Sequence, residues 1–154
     1  MKVRKKIDSL LSRTLVVLLS LMVLNVLWQV FSRYILGNPS SFTDELARYL
    51  MIWLGILGTA YVSGQNAHVA IDFLPNKLDV KKQRQLKHLA NMAIMLFAIF
   101  VLLIGGLRLV FLTYILEQFS PSLKLPMALV YAVIPISGLL VVYYKISDTL
   151  TQNS

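Results

Sequence analysis

The chain has no cysteine among its 154 residues. Disulfides, thiol nucleophiles and thiolate metal sites are therefore excluded. It has two histidines, His68 and His88, and they do not form an HxxxH or HExxH pair, so neither a zinc pair nor a haem pair is indicated. There is no GxSxG, no P-loop and no GxGxxG, which leaves catalysis without a residue set. No enzyme activity, metal or other cofactor is expected. Charge is scarce as well: 14% of residues are Asp, Glu, Lys or Arg, where a soluble domain carries about 25%.

What the chain has instead is apolar length. It is 57% hydrophobic, with a mean hydropathy of +0.70. Four apolar runs fill most of it, at about 14–36, 46–64, 89–116 and 127–144. Crossing about 30 Å of hydrocarbon takes roughly 20 helical residues, and these runs are too long for buried helices of a soluble core. The expected fold class is an all-α integral membrane protein, a single membrane domain with four transmembrane helices. The first run follows Lys2, Arg4, Lys5 and Lys6 as a signal peptide would. It is too long for an h-region and has no A-x-A-like site after it, so it reads as an uncleaved span.

The net charge of +8 raises nucleic acid as a partner, but its placement points to lipid. Eleven of the fifteen basic residues flank the runs on the side of the termini and the middle loop, and Arg33, Arg48, Arg108 and Lys124 lie on the other. By the positive-inside rule both termini are cytoplasmic, and the basic excess faces anionic membrane lipids. No nucleic-acid partner is expected.

Local signals refine this picture. Residues 2–13, with Ile7, Leu10 and Leu11 at helical spacing, read either as an interfacial helix or as a charged flank that only sets topology. Gly37-Asn38-Pro39-Ser40-Ser41 is a turn signal. Ser41 or Thr43 is a candidate cap for the second helix, with Asp44 and Glu45 in its first turn. Asp79 followed by Val80 and a breaker-free run lets the third helix begin near 80. Its apolar part alone would extend about 42 Å, which calls for tilt, with Gly105-Gly106 as a bend point. Pro126 suits the first turn of the fourth helix, and Pro135 should kink it.

The second span is richest in small residues. Gly55 with Thr59, and Ala60 with Gly64, are small-xxx-small pairs that let another helix approach closely. Gly55, Gly58 and Thr59 are candidate subunit-packing residues. They are joined by Asn25 and Gln29, which share one face of the first span and can bond a neighbouring helix. The bland alternative is that these residues pack only against the chain's own spans. Arg33, Asp44, Glu45, Arg48 and Arg108 fall near the outer headgroups. They either anchor and pair there, or dock another protein. No acid or histidine sits mid-span, which argues against a self-contained ion-coupled carrier. A rival reading, a small four-helix exporter working as a homodimer, predicts an embedded acid in the first span, and 14–31 contains none.

Several patterns occur in a fixed order. Phe31-Ser32-Arg33-Tyr34 closes the first span and Glu45-Leu46-Ala47-Arg48 opens the second. Gly55-Ile56-Leu57-Gly58-Thr59-Ala60 leads to His68-Val69-Ala70-Ile71-Asp72. Ser120-Pro121-x-Leu-x-Leu-Pro126 precedes Tyr131-x-x-x-Pro135-x-x-Gly138. In this order the chain resembles the small membrane subunit of TRAP (tripartite ATP-independent periplasmic) transporters, the DctQ type, over nearly its whole length. The resemblance implies a bacterial inner-membrane scaffold for a large membrane subunit that carries the substrate and sodium sites and moves as an elevator. It also implies a periplasmic binding protein that delivers an organic acid such as a C4-dicarboxylate or sialic acid. His68 and Asp72 are then expected to fix the cytoplasmic end of the second span.

Overall fold

A computed structural model describes residues 2–37, 40–65 and 80–152, with side chains described for 4–37, 40–65 and 89–149. Among these residues there is no β-strand, only one isolated bridge between Phe119 and Pro126. Four helical segments are long and apolar enough to cross a membrane: Arg4–Tyr34, Ser41–Gly64, Leu89–Ile115 and Met127–Thr149. The expected all-α, four-span fold is what the chain forms.

Helix α1 (Lys2–Tyr34) contains neither glycine nor proline, so nothing in it interrupts the backbone ladder. Just past its end lies Gly37, whose φ of +65° falls in the left-handed region that glycine enters without steric cost. The segment 2–13 is neither a separate interfacial helix nor a loose flank. It runs into the first span without a break, and its Leu11, with Ile7 packed alongside, belongs to the core cluster that includes Leu57, Val133 and Tyr144. Leu10, on the other side, is 68% exposed.

Helix α2 (Ser41–Gly64) has Ser40 at its N-cap position, and that side chain makes no capping bond. Instead the Thr43 hydroxyl donates to the Ser40 carbonyl at 2.8 Å. The expected cap by Ser41 or Thr43 is therefore replaced by a turn bond from inside the first helical turn.

The helix that carries the third span is described from Val80. It is an α-helix to Phe97 (α3), π-helical over Ala98–Gly105, and α-helical again over Gly106–Ile115 (α4). The bend expected at Gly105-Gly106 thus takes the form of a change in helical register that ends there. This stretch packs against the fourth span with backbones nearly touching. A Cβ added at Gly138 would meet the Leu103 nitrogen at 3.0 Å, and one at Gly106 would meet Pro135 at 3.0 Å. Helices in lipid come this close only where side chains are small.

The fourth span is two pieces, α5 (Met127–Tyr131) and α6 (Val133–Gln152), divided at Ala132. Pro135 explains the division. It lacks the N–H that would bond Tyr131, and its ring crowds that carbonyl. The next bond, from Ile136 N to the Ala132 carbonyl, is stretched to 3.4 Å. One freed carbonyl is recovered from outside, because Trp53 Nε1 of α2 donates to Val130 O at 3.0 Å.

The fourth span is the centre of the bundle: 39% of its most apolar window is buried, against 6% for the first span and 11% for the third. Two core clusters, one around Leu57, Val133 and Tyr144 and the other around Ala60, Ala98 and Val141, hold α1, α2 and the π-helical stretch against it.

Candidate functional site

The end of the bundle that holds the loop before α5 is closed by one carboxylate. Helix α4 stops in a Schellman-type turn. Glu117, at φ 47°, donates its N–H to Tyr114 O, and Gln118 N reaches Thr113 O at 3.1 Å. The following residues fold back so that Met127 N bonds Gln118 O at 2.8 Å and Ser120 N bonds Leu125 O at 2.9 Å. Glu45, one turn into α2, accepts from the Ser120 hydroxyl, from Ser122 N and from Leu123 N. Its charge is thereby spent on backbone and hydroxyl donors of its own chain. Thr43 is buried beside it, and its carbonyl accepts from Asn25 Nδ2 at 2.8 Å.

This arrangement separates the expected interface residues. Asn25 is buried and committed inside the chain, tying α1 to the start of α2, and so is not on a lateral subunit face. Gln29 lies at the edge, 3.5 Å from Asp44. Asp44 and Arg48 are both exposed and approach one another to 3.4 Å across one helical turn, a contact worth little in itself. Arg33 and Arg108 are exposed. A cleft of about 450 Å³ runs beside Arg48, lined by Tyr49, Ile52, Phe119, Met127 and Tyr131.

The flank of α2 divides its two small-residue pairs. Ala60 is fully buried, and a Cβ on Gly64 would run into the Tyr144 ring at 2.6 Å. That pair serves the chain's own packing. Gly55 and Gly58 differ, since an added Cβ would meet nothing within 4 Å at either. Thr59 is exposed and returns its hydroxyl to Ile56 O at 2.8 Å. The same Ile56 carbonyl accepts from buried Ser137 of α6 at 3.1 Å. Gly55, Gly58 and Thr59 therefore form an outward face that the chain's own described residues leave uncovered.

The opposite, basic end holds a cluster that sequence reasoning did not assemble. Arg4 Nη1 donates to Asp148 Oδ1 at 2.6 Å, and its Nη2 donates to the Gly64 carbonyl. A cation belongs at that carbonyl, the unpaired C-terminal end of α2. The guanidinium also lies 5.6 Å from the Tyr144 ring centroid, within range of a cation–π attraction. The Tyr144 hydroxyl donates to Asp8 at 2.6 Å, and Lys145 Nζ donates to Asn91 Oδ1 at 3.2 Å. Asp148 and Lys145 are almost fully buried. The pairing of Arg4 with Asp148 brings the two ends of the chain to the same end of the bundle. The sequence showed basic residues and acids on one side, but eleven cations there give no means of choosing which one pairs. His68 and Asp72 lie outside the described residues.

Two ends tied by internal bonds, an uncovered small-residue face between them and an apolar shell suit a part of a larger membrane assembly. Known proteins agree. The chain matches the family described as Tripartite ATP-independent periplasmic transporters, DctQ component, over residues 22–152. It is 36% identical over 124 residues to a TRAP transporter small permease protein of Haemophilus influenzae, covering 80% of this chain and 75% of the relative. It is 36% identical over 100 residues to the C4-dicarboxylate TRAP transporter small permease protein DctQ of Rhodobacter capsulatus, covering 65% of this chain and 44% of that one. With the sialic acid TRAP transporter small permease protein SiaQ of Vibrio cholerae it shares 33% identity over 87 residues, which are 56% of this chain and 50% of SiaQ. The chain belongs to the DctQ family of TRAP transporter small permease subunits, multi-pass membrane components of a transporter and not enzymes.

Proposed function

We propose that this chain is the fixed brace of a sodium-coupled TRAP transporter in the bacterial inner membrane, with both termini in the cytoplasm. Its partner is a large membrane subunit that carries the substrate and sodium sites and moves as an elevator. A periplasmic binding protein delivers an organic acid to that subunit, of the class to which C4-dicarboxylates and sialic acid belong. A brace must hold its shape while its neighbour moves. The chain's polar groups are spent accordingly: Glu45 on the loop before α5, Arg4 on the ends of α2 and α6, Ser137 on α2.

The observation that carries this reading is the Gly55, Gly58 and Thr59 face, small and uncovered beside spans that otherwise present large side chains. Close helix approach in lipid uses such faces. The exposed Arg33, Asp44, Arg48 and Arg108 are then the rim available to the partner proteins.

Gly55→Leu and Gly58→Leu test the proposal. Neither added side chain meets the chain's own atoms at its Cβ, so the isolated subunit should keep its melting temperature. Co-purification of the large subunit in mild detergent should fall several-fold. Full assembly with both leucines present would remove this face from the interface.

A further inference from the structure

Helix α1 carries charge on two opposite faces at its basic end. Arg4 and Asp8 turn inward and are bonded to Asp148 and Tyr144. Lys5, Lys6 and Arg13 turn the other way and are exposed, with exposed Ser9 among them. Lys5, Ser9 and Arg13 stand at successive i, i+4 positions and so share one row, with Lys6 beside Arg13 two turns away. The row covers about 12 Å of helix, within reach of long basic side chains converging on one anion. The helix has a single acid, Asp8, and it faces away.

Below this head the same face is a shaft of bulky aliphatic side chains, including Val17, Leu24 and Leu27, each more than half exposed. Two features make the shaft unlike a helix-docking face. From Lys2 to Tyr34 there is no glycine or alanine, and helices in lipid approach closely over small residues. The hydroxyl on the face, Ser20, is turned back onto the Val16 carbonyl at 2.8 Å. The contrast is with α2, whose outward face is glycine and threonine. A head of three cations above an aliphatic shaft has the charge and shape of a phospholipid site.

We infer that the outward face of α1 holds an anionic phospholipid, its phosphate between Lys6 and Arg13 and its acyl chains along Val17 and Leu24. This face is then turned to the bilayer, while the small face of α2 meets protein. The site does not depend on which large subunit the chain serves.

Native mass spectrometry of the full-length chain, exchanged with equal amounts of phosphatidylglycerol and phosphatidylcholine, reads the preference directly. Phosphatidylglycerol should be retained over phosphatidylcholine. The triple variant K5Q/K6Q/R13Q should lose that preference by on the order of tenfold while holding phosphatidylcholine as before. Because removing cations can also disturb insertion, the unaltered chain supplies a second measurement. Raising salt from about 0.1 M to about 1 M should collapse the preference through screening. Equal retention of the two lipids, a preference untouched by the triple variant, or one untouched by salt would each overturn the site. A third reading uses the absence of cysteine. Leu24→Cys, spin-labelled in detergent and then assembled with the large subunit, should give a mobile label relaxed by membrane-dissolved oxygen, and an immobilised, oxygen-shielded label would show protein where the inference places lipid.

Discussion

Single residues decide how the two ends of the bundle are closed. Glu45 shows that a charge at the membrane boundary need not be a docking charge. Its carboxylate is already shared by Ser120 and the N–H groups of Ser122 and Leu123. Removing it strands those donors and frees a loop whose Lys124 sits at φ 51°, a conformation that a non-glycine residue holds only when its surroundings require it. In Glu45→Ala, amide exchange over 120–123 should therefore accelerate by roughly fivefold to tenfold, while the spans stay protected. Unchanged exchange would mean that the loop is held by its own turns. At the other end, Arg4 is the partner of the nearly buried Asp148. Taking away one side of a buried pair typically costs about 3–5 kcal/mol where nothing else meets the remaining charge, and Asp148 keeps the nearby Lys145. Arg4 is itself 24% exposed, so water softens the loss and Arg4→Ala should cost nearer to about 2 kcal/mol. A melting curve of the purified chain measures it, and Arg4→Lys should recover only part, because Lys cannot repeat the two-pronged contact with Asp148 and the Gly64 carbonyl.

At the scale of elements, the crossing of the third and fourth spans is set by Gly106, Gly138 and Pro135. Gly138→Leu would drive a side chain into the Leu102 and Leu103 backbone. It should destabilise the isolated chain by roughly 1–3 kcal/mol, in contrast to Gly55→Leu and Gly58→Leu, which should leave the isolated chain unchanged. Comparable melting temperatures in all three would contradict the helix crossing described above. These elements also mark what could be read in advance. The four spans were legible because apolar run length is a local property. The break in the fourth was legible because Pro135 carries its consequence with it, and Gly37 and the turn before α2 likewise. The division of labour between Gly55/Thr59 and Ala60/Gly64 was not. Both pairs have the same spacing, and only the position of Tyr144, about eighty residues further on, shows which one is filled. Residues 2–13 teach the same lesson. The helical spacing of Ile7 and Leu11 was visible, but the core cluster they join includes Tyr144 and Val133, which belong to the far end of the sequence. Asn25 looked free for a neighbouring subunit because its acceptor, Thr43 O, is met only once α2 packs beside α1.

For the molecule as a whole, several hydroxyls that lie within the spans are turned to the chain's own backbone. Ser137 bonds Ile56 O, Thr59 bonds Ile56 O, Thr113 bonds Leu109 O, and Ser20 bonds Val16 O. Groups used in this way hold helices in place and leave little to replace a solute's hydration. The paired charges gather at the two ends. On the proposed bracing role, the chain should influence how many transporters assemble and how long they last, not how tightly the substrate is held. Two measurements separate these effects. In liposomes the chain alone should give no gradient-coupled accumulation of organic acid, and adding the large subunit and the binding protein should restore uptake. In that complete system, Arg4→Ala should lower the maximal uptake rate several-fold in step with the amount of intact complex, and leave the apparent KM for the acid within about twofold. A raised KM with full assembly would place this subunit at the substrate site, and accumulation by the chain alone would make it a carrier in its own right.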